Sequence, residues 1–392
     1  MHILSVHNYY QVRGGEDVSS EAEENMLREM NHTVGVYKKH NDEIKNLSGF
    51  KISQKTIWSR QSYREIQQYI TTHHPDLIHV QNFFPIISPS IYYAAQSLKI
   101  PIVQTLRNYR LLCPNGLFFR AGRVCEDCLH KPIPYPGIIH ACYRESRLAT
   151  TVTASMLVAH RALKTWSKQV SIYITLTEFA RQKFIEGGFP PDKIVTKPNF
   201  VHPDPGVGSG AGGYALFVGR LSVEKGLDTL LTAWQQLQTP IPLKIVGDGP
   251  LAEQVKAIAA TNPAVEWLGR KAMPEVHHLM GEARFLVFPS QWYETFGRVA
   301  VEAFAKGTPV IAAKIGAIAE LVTHNHTGFH FQPGDPQDLA RVVQSVLQQP
   351  DKLAAMRHTV RHEYETKYTA PQNYARLMDI YHQVLAAAPA IR

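Results

Sequence analysis

The sequence predicts an α/β protein made of two doubly wound parallel-sheet domains. Three observations carry that expectation. Short apolar runs alternate with longer amphipathic segments along the chain, the pattern of strands buried on both faces between crossover helices. The alternation runs through twice, interrupted by Gly206-Val207-Gly208-Ser209-Gly210-Ala211-Gly212-Gly213. Finally, glycines and charged residues suited to ligand binding follow directly after predicted strands, at the edge where open α/β sheets bind ligands.

The 392 residues suffice for two full cores, and 44% hydrophobic with 19% charged residues describes an ordinary globular chain. A net charge of +8 is either a generally basic surface or a preference for anionic partners such as nucleotides, phospholipid head groups or acidic glycans. No motif or basic–aromatic array points to nucleic acid. Residues 1–7 read as a strand rather than a signal peptide, and no run of apolar residues is long enough to span a bilayer. The expectation is a cytoplasmic protein with reduced thiols.

In the first half, residues 2–7 form a strand leading to Gly14, Gly15 and Glu16 and a polar helix reaching Met30. Strand, glycine pair and helix serve either a phosphate loop or an ordinary turn. Strands are predicted at 34–37, 77–82 and 101–106, and helices at 55–73 and 85–98; the last strand runs into Arg107. Residues 113–142 then break the pattern and hold all four cysteines, Cys113, Cys125, Cys128 and Cys142. The C-x2-C pair has metal-knuckle spacing, and a structural zinc would give this proline-rich insert the core it lacks. Reduced thiols, or a disulfide formed on isolation, are the alternatives. Four thiolates would leave no open position for catalysis. Residues 146–166 read as a helix with an apolar stripe at Leu148, Val152, Met156, Ala159 and Leu163, expected in the core. Strands at 172–176 and 194–196, with a helix between them closed at Gly187 and Gly188, complete this half. The glycine stretch reads as a flexible linker or loop, with the domain boundary just before it, near residue 200.

The second half repeats the pattern. Strands are expected at 214–218, 243–246, 265–269, 284–289, 309–312 and 328–331, and the closing helices at 335–347, 350–365 and 371–387. After the 284–289 strand, Thr295 reads as the N-cap of a helix running from Phe296 to Lys306. Glu294 thus lies where a strand's carboxyl end meets a helix N-terminus. Backbone N–H groups near Phe296 and Gly297 can hold an anion there. Glu302 lies two turns further on. Two carboxylates beside an anion site suit a ligand with phosphates and hydroxyls, and a nucleotide sugar is such a ligand. Arg220 and Lys225, on one glycine-bounded loop, can hold a diphosphate and stabilise its charge as it leaves. Glu302 suits two vicinal ribose hydroxyls. It could instead be a carboxylate favoured by the helix dipole, but among Val301, Ala303 and Phe304 a carboxylate must be paired or ligand-bound.

On these residues the chain resembles the family 4 retaining glycosyltransferases of the GT-B fold. Glu294 and Glu302 match the family's E-x7-E pattern, and Gly219-Arg220-Leu221 with Glu224-Lys225-Gly226 matches its G-R-L-x-x-E-K-G loop. Gly14-Gly15-Glu16 matches the N-terminal glycine loop. Gly247-Asp248-Gly249-Pro250 and Gly269, with the adjoining Arg270, match segments near the nucleoside. Gly307 to Ile311 and Glu320 also fit. The resemblance implies an acceptor domain over 1–200, a donor domain over 201–368 facing it across a cleft, and a C-terminal helix over 369–392 packing back on the first. It implies a UDP-, GDP- or ADP-linked sugar donor, with Glu294 on the sugar and Thr295, Phe296 and Gly297 helping to hold it. Arg220 and Lys225 would grip the diphosphate, and Glu302 the ribose. Front-side substitution with retention would follow, without a required metal or other cofactor. The acceptor would be a hydroxyl on a glycan, glycolipid or small molecule, and the basic charge is compatible with peripheral attachment to the inner membrane face. Polysaccharide biosynthesis is the expected setting.

One position departs from the family. Its T-x-H histidine is Arg107 here, following Thr105. Arginine stays charged and is no base. Arg107 is expected in the cleft, bound to donor sugar or phosphates, or filling the pocket and slowing transfer. His79 and His7, at neighbouring strand ends, are more simply structural. Competing readings are therefore a sugar-nucleotide epimerase or hydrolase, and a nucleotide-sugar-binding protein that has lost transfer.

Overall fold

A computed structural model describes residues 1–387. The chain divides into two compact units. One comprises Met1–Phe118, Glu126–Pro198 and the chain from Asn373 onward; the other comprises Phe119–Cys125 and Asn199–Gln372. Of the terminal helix expected over 369–392, Ala370–Ala387 is helical, and 388–392 lie outside the described residues. No helix among the described residues is long and apolar enough to cross a membrane.

The first unit is built on β1 (His2–Tyr9), β2 (Thr33–His40), β3 (Leu77–Asn82) and β4 (Ile102–Leu106). A two-stranded hairpin follows in the chain, β5 (Phe119–Arg120) and β6 (Arg123–Val124), counted with the second unit. Strands β7 (Ile172–Thr175) and β8 (Ile194–Thr196) complete the first sheet. Its order is β2-β1-β3-β4-β7-β8, with every neighbouring pair parallel. Ile3, Leu4, Val6, Val80, Val103 and Ile174 are fully buried, as strands covered on both faces require.

The helix Gly15–Glu29 behaves unlike its sequence. It is polar in composition, yet Asp17, Ser19, Ser20, Glu23 and Glu24 are buried. Each buried carboxylate has a polar partner. His7 Nε2 lies 2.7 Å from Asp17, Ser5 Oγ donates to Glu24 at 2.8 Å, and Lys197 Nζ donates to Glu23 at 2.8 Å. Buried charges persist only when paired in this way.

Other elements differ from expectation for local reasons. The long helix predicted over 55–73 is two helices, Gly49–Ile57 and Arg60–His73. Trp58 is extended between them, and Ser59 caps the second through the Ser62 N–H. The helix predicted over 85–98 starts only at Ser90, because Ser88 is left-handed and its hydroxyl accepts from the Ser90 N–H. In the helix Arg147–Ala162 the buried face is Thr150, Thr153, Ala154, Met156, Leu157 and His160; Leu148, expected inside, is 75% exposed.

The second unit carries β9 (Ala215–Val218), β10 (Leu243–Val246), β11 (Val265–Gly269), β12 (Phe285–Phe288), β13 (Val310–Ala313) and β14 (Gly328–Phe331). The order is β11-β10-β9-β12-β13-β14, all parallel. The winding reverses between β9 and β12, which makes the edge between them a topological switch point, the site where such sheets bind ligands.

The glycine stretch is not a flexible linker. It is stitched to the second unit: Gly208 N–H donates to the Lys306 carbonyl, Gly210 N–H to Gly281 and Gly212 N–H to Glu282, at 2.9 to 3.0 Å. Arg357 Nη2 donates to the Gly208 carbonyl at 2.9 Å. A Cβ on Gly208 would lie 2.2 Å from Gly281 Cα, so glycine there permits two backbones to touch.

Candidate functional site

In the second unit, the loops after β9 and β12 are joined at their backbones. Gln291 N–H donates to the Glu224 carbonyl at 2.9 Å. Gly226 has φ +71°, and a Cβ on it would fall 2.0 Å from the Pro289 carbonyl oxygen. Only glycine fits, on both conformational and steric grounds.

That approach brings Lys225 to Glu294. Lys225 Nζ donates to Glu294 Oε1 at 2.6 Å. The same oxygen accepts from Ser290 Oγ and from Trp292 Nε1, each at 2.9 Å. The ammonium also sits over the Trp292 ring, 5.4 Å from its centroid. Glu294 is thereby held by three donors while only 8% exposed. Arg220, on the same β9 loop, is exposed.

The helix after this loop is Arg298–Ala305, two residues later than expected. Gly297, not Thr295, is its N-cap, with φ +111°, and no side chain caps it. The Gly297 Cα faces Leu321 and Ile318, where a Cβ would lie 3.1 and 3.2 Å away. Phe296 is buried. Glu302 is 4% exposed and accepts from Arg298 Nε, one turn back, at 2.8 Å. The apolar surroundings that demanded a partner for Glu302 thus have one in the chain itself. Burial lowers the His277 pKa, and the charge of Glu302 opposes that shift.

The β10 and β11 loops complete this edge. Leu221 N–H donates to the Asp248 carbonyl at 3.0 Å, and Gly247 N–H to the Gly269 carbonyl at 2.9 Å. A Cβ on Gly247 would strike the Gly219 carbonyl oxygen at 1.9 Å. Gly219, Gly247 and Gly269 therefore lace three strand ends together, and Asp248 and Arg270 stand exposed beside them.

In the first unit, Gly14 caps the helix Gly15–Glu29, and its N–H donates to Asp17 Oδ2 at 2.9 Å. A Cβ on Gly14 or Gly15 would meet nothing within 4 Å, so packing inside the chain does not call for glycine at either position. Arg107, at the end of β4, is 5% exposed. Its Nε and Nη2 donate to Gln81 Oε1 at 2.9 and 2.7 Å, and Gln81 Nε2 donates to Glu23 Oε1 at 2.5 Å. His79 belongs to the same network. Its ring nitrogens lie 2.7 Å from the Tyr381 hydroxyl and 2.8 Å from that of Thr105. Burial draws the His79 pKa down to about 4, with Lys197 and Arg107 adding to the effect and Glu23 opposing it. Burial alone would raise that of Glu23, but Lys197, His79 and Arg107 outweigh it and hold the carboxyl well below its usual range.

Comparison with known proteins matches this architecture to one family. A profile described as Glycosyltransferase Family 4 matches residues 25–205, and one described as Glycosyl transferases group 1 matches 210–363. The chain belongs to glycosyltransferase family 4. Its fold is GT-B. Sucrose-phosphate synthase from Thermosynechococcus elongatus superposes with a TM-score of 0.72 at 16% identity, over 98% of this chain and 99% of that one. Anabaena Alr3699/HepE in complex with UDP and glucose superposes with a TM-score of 0.70 at 19% identity, over 98% of this chain and 100% of that one. In sequence, an uncharacterized glycosyltransferase of Methanocaldococcus jannaschii is 35% identical over 136 residues, 34% of this chain and 38% of that protein. Glycogen synthase of Mycobacterium tuberculosis is 34% identical over 168 residues, 40% of each chain. The match thus spans about two fifths of the length of these relatives.

Against the family's patterns, the structure brings Lys225 to Glu294 but pairs Glu302 with Arg298. Sequence reasoning missed Ser290, Trp292 and Arg298. Arg298 was legible, because a cation four residues before a buried carboxylate is a helical pair.

The structure gives the zinc expectation no support. Among the described residues no three His, Cys, Asp or Glu side chains are placed to hold a metal. Cys113 Sγ donates to Asn115 Oδ1 at 3.0 Å, and Cys128 Sγ to the Pro134 carbonyl at 3.8 Å. Burial raises the Cys113 pKa, which keeps it a thiol. Cys113 and Cys128 serve as small buried donors that tie local turns.

Proposed function

We propose that this family 4 member is a retaining glycosyltransferase that moves a sugar from a nucleotide diphosphate sugar to a hydroxyl acceptor. The observation that carries the proposal is the Lys225–Glu294 contact at the β9/β12 switch point, with Ser290 and Trp292 on the same carboxylate oxygen. Glu294 so engaged is an acceptor for sugar hydroxyls, not a nucleophile. Lys225 and Arg220 supply positive charge for a diphosphate, and the backbone N–H groups around Phe296 and Gly297 supply donors for it. Glu302, buried near Arg298, takes the ribose hydroxyls. Gly219, Gly247, Asp248, Gly269 and Arg270 border the nucleoside, and Gly14 and Gly15 leave open backbone in the first unit.

In the reaction the anomeric carbon–oxygen bond breaks and its electron pair leaves with the diphosphate. The acceptor oxygen bonds the same face of that carbon, and its proton passes to the departing phosphate. Transferases of this family in general need no cofactor. UDP in complexes of the HepE neighbour supports a nucleotide-sugar donor.

Thermal shifts with UDP, GDP and ADP, on the wild type and on Glu302→Ala, test the proposal. Stabilisation by one nucleotide that weakens in the variant supports it; no shift from any of them at millimolar concentration overturns the donor site. Arg107 in place of histidine motivates a second reading, a nucleotide-sugar binder or hydrolase. Donor turnover measured with and without acceptor separates the readings.

A further inference from the structure

We propose that the first unit carries a second binding site, for a small organic phosphate, at the amino ends of β4, β7 and β8. A cavity of about 340 Å³ opens there, a volume within the range of small-molecule sites. It is lined by the turn before β4, the start of β7, the turn before β8 and the end of the helix Ala370–Ala387. Arg107 stands at the opposite end of β4, and none of the lining residues is assigned to transfer.

The polar groups of the lining call for an anion. Lys99 and Lys193 are among them, and no acid is. Lys193 is pinned in place, because its Nζ donates to the Ser167 and Val170 carbonyls at 2.8 and 3.0 Å. An ammonium has three hydrogens, and Lys193 has no further partner among the described residues. Ser171 Oγ accepts from the Ile102 N–H at 3.3 Å, which leaves its hydroxyl hydrogen to donate. Lys99 takes the left-handed position, φ +59°, that closes the helix Ser90–Ser97. Its backbone is fixed there: Lys99 N–H donates to the Gln96 carbonyl at 3.1 Å, and Ile100 N–H to that of Ala95 at 3.0 Å. The Lys99 ammonium has no partner among the described residues. The Gln96 and Gln383 amides add further donors. Two cations and several donors without a carboxylate form a set that an anion completes.

The floor selects the rest of the ligand. Ile100, Ile172 and Val384 are buried side chains that border the cavity. A bare phosphate would leave this apolar surface in water, whereas an ester with an apolar body covers it.

The test uses the full chain labelled at isoleucine methyls, titrated with 1-naphthyl phosphate, 1-naphthol or inorganic phosphate and followed by NMR. Ile100 and Ile172 report on the cavity. Ile318 reports on the proposed donor site, since a Cβ on Gly297 would lie 3.2 Å from its Cδ1. The expected result is saturable shifts of Ile100 and Ile172 with 1-naphthyl phosphate, at concentrations roughly tenfold or more below those required of either comparison compound. Lys99→Glu reverses a charge and Gln383→Trp fills the cavity. Each weakens binding by roughly fivefold or more, with circular dichroism unchanged. Lys256→Glu, an exposed charge reversal in the second unit, leaves it as in wild type. The readout needs neither donor nor acceptor, so its failure leaves the transfer reading standing. No movement of Ile100 and Ile172 up to millimolar concentration overturns the proposal. So does a response confined to Ile318, or one matched by 1-naphthol or by inorganic phosphate.

Discussion

Lys225 Nζ lies 2.6 Å from Glu294 Oε1, although the two residues are 69 positions apart and belong to loops after different strands. The contact exists because β9 and β12 are neighbours at the point where the sheet reverses its winding, and because Gly226 lets the first loop touch the Pro289 carbonyl. The pair is partly shielded, with Lys225 and Glu294 side chains 22% and 11% exposed. A cation and an acceptor are thus fixed relative to each other before any ligand arrives.

If the pair acts as a unit, Glu294→Gln and Lys225→Met each lower kcat/KM by ~10²–10³-fold, and the double variant loses little more than the worse single. Such non-additivity is the signature of residues sharing one task. Steady-state kinetics on the four proteins measure it. Fully additive losses would show that the contact is incidental.

Gly226→Ala tests the loop contact itself. The added Cβ meets backbone at 2.0 Å in a left-handed conformation, so nothing nearby can rotate away. The left-handed strain alone costs roughly 1–2 kcal/mol, and relieving the clash must move Lys225 away from Glu294. Lower Tm together with weaker nucleotide binding is expected. Gly14→Ala, with nothing within 4 Å, leaves Tm nearly unchanged.

Strand positions were legible because strands buried on both faces are continuous apolar runs, and those around Leu77, Leu243 and Phe285 stand out as such. Sheet order was not legible, since nothing in the chain says that β12 follows β9 across the sheet. The E-x7-E and G-R-L-x-x-E-K-G spacings named the residues at this edge but not their contacts. The burial of the carboxylates of Gly15–Glu29 was not legible, because their partners Ser5, His7 and Lys197 meet them only in the fold. For the glycine stretch the sequence left linker and loop open, because glycine serves close backbone approach as well as flexibility, and only Gly281 opposite Gly208 decides between them.

Arg107→His restores the residue usual in the family at the end of β4. It removes both hydrogen bonds to Gln81 Oε1 and one positive charge beside Glu23. The proposed donor contacts of Arg220, Lys225, Glu294 and Glu302 lie in the second unit and are untouched. Turnover is therefore expected to change more than nucleotide affinity, measured by kcat against the Kd from calorimetry. Identical kinetics in the two proteins would remove Arg107 from the catalytic account.

The buried network predicts a pH dependence of stability whose sign follows from His79. Its folded pKa of about 4 lies below the ordinary histidine value of 6.5, because burial, Lys197 and Arg107 disfavour the imidazolium more than Glu23 favours it. The unfolded chain therefore takes up this proton first. The contribution is fully present above pH 6.5 and is lost as pH falls toward about 4, a loss on the order of a few kcal/mol. Glu23, whose folded pKa is depressed, adds a further loss as pH falls below the ordinary carboxylate range. Tm followed by calorimetry from pH 8 to pH 4 should thus begin to fall near the unfolded histidine value. In His79→Gln, which keeps a polar group facing Thr105 and Tyr381 but cannot protonate, Tm starts lower and the decline between pH 6.5 and pH 5 flattens. An unaltered slope in that variant would assign the acid sensitivity to other groups.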